Sequence, residues 1–427
     1  MQIQNNQLYI GGLPASEIAK RFQTPLYVYD VGQIRKTIHE MKEAFQAENV
    51  AYEISYASKA FSVVAMYDVL AAEKVHCDVV SGGELATVMK AGFPLQKVAF
   101  NGNNKSFDEL STAIDHHIGT IIVDNFHEIE LLEEILSAKD QTQDVLMRIS
   151  PGISAHTHEF ISTGQQDSKF GFDLISGQAK QAFDRIMASP YLHLRGLHAH
   201  IGSQIFETNG YSKLADLLVK TASDWHFQPE IIDLGGGFGI KYNEKDDPIP
   251  NSDFIHLICQ SVKQAAKTYK IQLPEIWIEP GRSIVGPAGY SLYTIGGRKD
   301  IPGIRSYLSV DGGMGDNIRP ALYQAEYEAV LADQADVPSE QVVRIAGKYC
   351  ESGDVLVWQQ KLPKTKPGDL LAILATGAYG YSMASNYNRN PRPAVVFVEN
   401  GKAKLVVKRE NMADITHLDL DYEVGND

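Results

Sequence analysis

Between residues 50 and 280, short β-rich runs alternate with amphipathic helical stretches, and no other feature constrains the fold as tightly. The candidate strands are Tyr52–Ser58, Val75–Val80, Val98–Asn101, Thr120–Val123, Val145–Ile149, Leu194–His200, Ile231–Leu234 and Ile276–Glu279. Between them, Phe61–Lys74, Gly83–Ala91, Phe126–Ala138, Tyr211–Ser223 and Phe254–Tyr269 space apolar residues three and four apart, the period of a helix with one buried face. A strand followed by a helical crossover, repeated, leads to parallel pairing. Eight such units predict a closed (β/α)8 barrel of the TIM type rather than an open doubly wound sheet.

After Glu279 the texture changes. Ser306–Val310, Tyr327–Leu331, Gln341–Ala346, Asp354–Gln359, Leu370–Leu374 and Pro393–Val398 are β-like and separated by Gly, Pro and Asp. Asn400-Gly401 between two apolar runs is a two-residue hairpin signal. The expected fold class is therefore α/β, a (β/α)8 barrel over 30–280 with an all-β C-terminal domain of Greek-key or β-sandwich-like barrel form over 281–427. Residues 1–29 are expected to join the latter through a strand at Leu8–Ile10. The stretch Ser150–Phe172, rich in Gly, Ser and His, is long enough for an active-site loop.

Composition narrows the function classes. The 427 residues carry 39 basic and 53 acidic side chains, a net charge of −14, which argues against a nucleic-acid or anionic-membrane surface. Three scattered cysteines, Cys77, Cys259 and Cys350, give neither a disulfide framework nor a CxxC metal pattern. The N-terminus Met-Gln-Ile-Gln-Asn-Asn lacks a basic region followed by an apolar run, and no apolar stretch reaches membrane-spanning length. A cytoplasmic protein is expected.

In a barrel, side chains at the C-terminal strand ends converge on one site. Lys59 closes Ile54-Ser-Tyr-Ala-Ser-Lys-Ala60, where a Schiff-base lysine would have to stand to hold an aldehyde cofactor; a solvated strand-end charge is the plain alternative. Asp233-Leu-Gly-Gly-Gly-Phe-Gly239 suits either a tight βα turn or a phosphate nest of backbone N–H groups. His198 and His200, two apart and so on one face of a strand, could ligate zinc or satisfy the core, or one could stack on an aromatic ring with Ser203 bonding a phosphate. No third ligand at metal spacing accompanies them, and no metal is expected. Glu279-Pro-Gly-Arg282 offers a deep carboxylate that could keep a pyridine nitrogen protonated, or a strand-end salt bridge. From the second half come Arg319 and Tyr323, suited to one carboxylate, and Cys350 beside Glu351 in a polar glycine turn.

Together these residues resemble the fold type III pyridoxal-phosphate-dependent decarboxylases, from Thr24-Pro-Leu-Tyr-Val-Tyr-Asp30 to Asn386-Tyr-Asn-Arg-Asn-Pro-Arg-Pro393. The motifs that carry the resemblance are Tyr56-Ala-Ser-Lys-Ala60, Asp78-Val-Val-Ser-Gly-Gly-Glu84, His-Thr-His at 156–158 and Ser168-Lys-Phe-Gly-Phe172. With them stand His200-Ile-Gly-Ser-Gln204, the triple glycine, Glu279-Pro-Gly-Arg282, Cys350-Glu-Ser-Gly-Asp354 and Gly377-Ala-Tyr-Gly-Tyr381. The chain departs from the commonest pattern in having Ala-Phe after the lysine and His-Cys at 76.

The branch it is most similar to implies decarboxylation of meso-2,6-diaminopimelate to L-lysine and CO2, the last step of lysine biosynthesis. Related decarboxylases acting on ornithine, arginine or carboxynorspermidine are the alternative. A racemase of this fold, which sets an arginine against the pyridine nitrogen, fits Glu279 less well. The resemblance implies that Lys59 carries pyridoxal 5'-phosphate, His200 stacks on its ring, Asp78 supports the site from below and Glu279 pairs with the ring nitrogen. It implies phosphate contacts from Ser203, Gly236, Gly237 and the backbone at Pro280 and Gly281, with Tyr379 closing over them. Arg282, Arg319 and Tyr323 would grip the distal carboxylate. Cys350, as proton donor, and Glu351, near the distal ammonium, would come from the second subunit of a homodimer.

Overall fold

The computed structural model describes residues 2–153 and 168–422. The chain divides into two compact units, Ile34–Gly286, and Met1–Gln33 together with Pro287–Asp427.

The first of these is a closed barrel. Its strands are Tyr52–Ala57, His76–Val79, Val98–Phe100, Thr120–Val123, Gln143–Ser150, Leu192–His198, Ile231–Asp233 and Glu275–Ile278, here called the first to eighth. Each pairs in parallel with the next, and the eighth pairs with the first (Ile276 opposite Tyr52), so the ring has no edge. The third to fifth, seventh and eighth strands contribute Ala99, Ile122, Leu146, Ile231 and Trp277 to one cluster. Side chains from strands so far apart can meet only across the interior, which is therefore packed, not open. The short strand Phe172–Asp173 pairs in parallel with the last residues of the fifth, Ile149 and Ser150.

Helices start where the sequence supplies caps. Ser81, Ser106 and Asn125 each accept a hydrogen bond from the backbone N–H of a glutamate three residues on, opening Gly82–Lys90, Phe107–Asp115 and Phe126–Lys139. Each cap contributes about 1 kcal/mol and fixes where the chain turns after a strand end. Residues 154–167, and with them most of the expected Ser150–Phe172 loop and the run at 156–158, lie outside the described residues.

In the second unit one sheet runs Val355–Leu362, Gln341–Ala346, Arg305–Val310, Gly289–Ile301, Leu26–Asp30, Ala394–Glu399, Lys402–Val407. Leu370–Ile373 also pairs with Gly289–Ile301, and Ala329–Leu331 pairs with Leu370–Ile373. The Asn400-Gly401 hairpin forms as expected, with φ of 51° and 72°, the left-handed pair a primed turn requires.

The expected strand at Leu8–Ile10 forms and packs within this unit, but in a small sheet of its own. Gln7–Ile10 belongs to a separate three-stranded sheet with Gln2–Gln4 and Leu13–Pro14. Positive φ at Asn5, Asn6, Gly11 and Gly12 turns this segment back on itself. It is Leu26–Asp30 that joins the large sheet, antiparallel to Gly289–Ile301 and parallel to Ala394–Glu399, with four of its five residues buried. A strand buried on both faces reads as a continuous apolar run, as Leu-Tyr-Val-Tyr does. Among the described residues no helix is long and apolar enough to cross a membrane.

Candidate active site

The barrel strands end in charged and polar residues that an apolar interior would reject unless they were partnered or used. Lys59 lies in the turn Ser58–Ala60 after the first strand, half-buried. Among the described residues its ammonium makes no hydrogen bond or ion pair, yet its charge acts on Asp78, Glu84, His200 and Glu279. The neighbouring end of the eighth strand brings Glu279, locked in place by the bond from Ala57 N–H to Pro280 O, 3.3 Å.

Three carboxyls meet at this end. Glu279, Asp78 and Asp233 are all buried. Burial pushes Asp78 and Asp233 well above the ordinary carboxyl range, and the charge of Glu279 pushes them further. Burial also pushes Glu279 up, but the charge and hydrogen bond of His198 (Nε2 to Oε2, 3.2 Å), with Lys59 and His200, outweigh it and hold Glu279 at about 2. Among the described residues the other oxygen of Glu279, Oε1, has no hydrogen-bond partner, nor does either oxygen of Asp78, Oδ2 of Asp233 or Nδ1 of His198.

His198 is buried and driven towards its neutral form by that burial, against the pull of Glu279. His200 lies beyond the end of the sixth strand, not within it, and burial, with Lys59 and Arg148, lowers its pKa well below the usual imidazole value. The two histidines thus part company. His198 groups with Asp233 and Glu279, their ligand atoms all within 4.8 Å, a cluster that spacing along the chain could not show. His200 Nδ1 accepts the Gly236 N–H at 3.3 Å, a neutral, flat imidazole set against the glycine loop.

That loop is built on close approach. Gly235 and Gly237 have φ of +66° and +102°, and a Cβ at Gly236 would stand 2.0 Å from the carbonyl oxygen of Glu279. The Gly235 N–H donates to Asp233 Oδ1 at 2.8 Å, and Tyr211 OH donates to Gly236 O at 2.8 Å. Beside it, Ser203 Oγ accepts from Arg282 Nε (3.2 Å) and Nη2 (2.9 Å), while Nη1 of the same guanidinium bonds the Tyr242 hydroxyl. A Cβ at Gly281 would sit 2.9 Å from Ala57 O.

Arg148, on the fifth strand, escaped the sequence reading although a lone arginine within Val-Leu-Met-Arg-Ile was a visible signal. It is buried, donates to Asn101 Oδ1 at 3.0 Å and lies 3.6 Å from Asp124 Oδ2. Asp124 in turn accepts the Gly171 N–H at 3.0 Å. Asp233, Glu84, Tyr211 and Tyr242 were likewise not singled out as site residues.

The other candidates belong to the second unit. Arg319 and Tyr323 stand at the two ends of one short helix, four residues apart and so on one side of it. Arg319 is buried and bonds the Tyr327 hydroxyl. Cys77 and Cys259 are buried, whereas Cys350 is exposed. The turn of Cys350 is pinned on both sides. Its own N–H donates to Asn388 Oδ1 (2.8 Å), and buried Asp354 accepts from Tyr349 N–H (2.8 Å) and Met314 N–H (2.7 Å). Exposed Glu351 folds back to Gly353 N–H at 3.3 Å. Tyr379 is half-buried with a φ of +61°.

The barrel site fits a phosphorylated pyridine aldehyde on three counts. It has a lysine for the aldehyde, an ionised buried carboxylate with an unpartnered oxygen for a ring N–H, and glycine backbone beside Ser203 and Arg282 for a phosphate.

Comparison with known proteins agrees. The family model described as pyridoxal-dependent decarboxylase, pyridoxal binding domain, matches residues 31–286. The chain is 53% identical to diaminopimelate decarboxylase of Bacillus subtilis (strain 168), over 99% of this chain and 98% of that one. It is 52% identical to that of Bacillus methanolicus, over 96% of each. The crystal structure of diaminopimelate decarboxylase from M. jannaschii in co-complex with L-lysine matches with a TM-score of 0.92 at 34% identity, covering 99% of this chain and 98% of that one. A buried acid anion, a strand-end lysine and a glycine loop in this arrangement, together with these relatives, put the chain in the pyridoxal-dependent decarboxylase family, among the diaminopimelate decarboxylases.

Proposed function

We propose that this protein removes CO2 from meso-2,6-diaminopimelate to give L-lysine, with pyridoxal 5'-phosphate as cofactor. The observation that carries the reading is Glu279, the one carboxylate of three buried acids held ionised, with an unpartnered oxygen beside the Lys59 turn. Bound cofactor supplies a protonated ring that accepts the electron pair left at Cα when CO2 departs. Glu279 keeps the proton on the ring nitrogen, because an anion in a low-dielectric pocket strongly favours the charged partner. His200, whose pKa burial lowers, would stack on the ring without favouring a competing charge. Lys59 would hold the cofactor through its aldehyde, and Asp78 would support the site from below. Ser203, Gly236, Gly237 and Gly281 would offer hydroxyl and backbone N–H donors to the phosphate, with Pro280 shaping the turn beside them, and Tyr379 would close over it.

Selectivity rests on the far end of the substrate. Arg282, Arg319 and Tyr323 take the distal carboxylate, and Glu351 the distal ammonium. Lysine, ornithine and arginine lack that carboxylate and would forgo its ion pairs with Arg282 and Arg319, a loss that a site built for polar contacts penalises strongly. Cys350 delivers the proton to Cα. Its exposure is what a residue acting across a dimer needs, and we assign Cys350 and Glu351 to the site of the other subunit in a cytoplasmic homodimer.

The test is CO2 release by purified protein with cofactor from meso-diaminopimelate, ornithine, arginine and lysine, with a borohydride-reduced sample mapped by peptide mass spectrometry. The reading requires turnover of the first substrate above the others and the pyridoxyl label on Lys59. Turnover of ornithine at an equal rate, or label on a different lysine, contradicts it. Cross-linking and light scattering test the dimer; fractionation of cells tests the compartment.

A further inference from the structure

Arginine is a poor grip for an anion unless its fork is already aimed, because its long side chain otherwise loses rotamer freedom on binding. Arg282 is aimed from two sides. Ser203 Oγ takes Nε and Nη2 at 3.2 and 2.9 Å, and the Tyr242 hydroxyl takes Nη1. Tyr242 is buried, with its ring centre 5.7 Å from the guanidinium carbon.

The two supports belong to one frame. Gln204, the residue after Ser203, uses both ends of its carboxamide on the backbone of Ile240, donating to its O at 2.7 Å and accepting its N–H at 3.2 Å. Ile205 then pairs in parallel with Phe238. Downstream, Asp246 Oδ2 accepts the N–H groups of Tyr242 (2.9 Å) and Asn243 (3.1 Å), which fixes the turn from which the tyrosine projects. The segment bearing Ser203 and the segment bearing Tyr242 therefore cannot shift independently. A phenol so supported, packed against one guanidinium, has a task that core filling does not need.

We propose that Tyr242 is a positioning residue that holds Arg282 ready for the anionic group of the substrate. This rests on the assignment of Arg282 to the distal carboxylate, and the experiment separates the two. Tyr242→Phe, Arg282→Lys and the double variant are compared in the holoenzyme for KM and kcat on meso-diaminopimelate, for cofactor dissociation constant and for melting temperature. Removing a hydrogen bond to a charged group is expected to raise KM about ten-fold in Tyr242→Phe, with kcat and melting temperature little changed. Because the tyrosine acts through the arginine, the double variant should be no worse than Arg282→Lys alone. Losses that multiply in the double variant, or a Tyr242→Phe enzyme indistinguishable from wild type, overturn the proposal. If Arg282→Lys weakens the cofactor and leaves KM alone, the carboxylate assignment fails, while non-additivity in the cofactor dissociation constant still supports the tyrosine's role.

Discussion

Gly236→Ala puts the smallest possible perturbation at the most crowded point of the site. The backbone there needs no positive φ, so the substitution tests space and nothing else. The added Cβ would lie 2.0 Å from Glu279 O and 2.7 Å from its carbonyl carbon, and real Cβ contacts essentially never fall below 3.0 Å. The end of the eighth strand must therefore retreat by about 1 Å, and with it the backbone of Glu279, whose N–H bonds Gly235 O at 2.9 Å. Overpacking of this size destabilises by about 1–3 kcal/mol, which a barrel this large survives. A 1 Å misplacement of a group acting on the reacting centre costs on the order of a hundred-fold in rate. The variant should thus fold, bind cofactor more weakly and turn over about a hundred times more slowly. Gly297→Ala, where a Cβ would meet nothing within 4 Å, is the matched control and should match wild type. The assays are cofactor titration by absorbance, CO2 release and circular dichroism on both variants. A Gly236→Ala enzyme with wild-type turnover would refute the claim that the glycine loop fixes Glu279.

Three further outcomes are expected. Glu279→Gln should keep the cofactor but lose roughly a hundred- to a thousand-fold in turnover, since an amide cannot hold the ring proton; near-normal CO2 release would remove the electrostatic argument. Asp316 is buried in the second unit, and burial above all raises its carboxyl from 3.8 to about 7. The native state then keeps a proton that the unfolded chain releases, so stability falls as pH rises from about 4 to 7, by on the order of 4 kcal/mol. Asp316→Asn should melt higher than wild type near pH 8 and lose that advantage near pH 4, and a pH-independent difference in melting temperature would contradict the shift. Finally, Lys59→Ala and Cys350→Ala proteins, each nearly inactive, should regain roughly a quarter of wild-type activity when mixed under conditions of subunit exchange. Demonstrated exchange without recovery would put both residues in the same subunit's site or couple the two sites strongly.

The chain announces its barrel because short, largely apolar strands alternate with helices, most of which keep one wet face. Six of the eight expected strands fall within one residue of the observed bounds at both ends, while the fifth begins two residues early and the sixth runs from Leu192 to His198, two residues ahead of the expectation. Where the pattern was broken, the reading failed for local reasons. Gly289–Ile301, thirteen residues long, contains Gly296-Gly297 and then Arg-Lys-Asp, a composition that reads as a turn. The structure absorbs it with a register shift between Ile295 and Arg298 and leaves Gly296–Asp300 exposed. Val31–Glu48 was missed because it follows a strand of the other unit, so no βα rhythm flagged it.

The site divides along the same line. Lys59, His200, Ser203, the glycines and Glu279 stand out in the sequence as candidates because a barrel sends strand ends to one place, and Asp78 through the family resemblance. Their partners do not. His198 reaches Glu279 across 81 positions, Arg148 reaches Asn101 across 47 and Arg282 reaches Tyr242 across 40. Which strand ends become neighbours depends on how the ring closes, and which acid keeps its charge depends on all of them at once. Asp78 and Asp233 look like ordinary anions in the sequence, and in the structure burial, and after it the charge of Glu279, pushes both well above the usual carboxyl range. Asp78 and Glu279 are the same functional group at equivalent strand ends. Their surroundings differ through a histidine two residues from the one that attracts attention: His198 Nε2 lies 3.2 Å from Glu279 Oε2, whereas neither oxygen of Asp78 has a hydrogen-bond partner among the described residues.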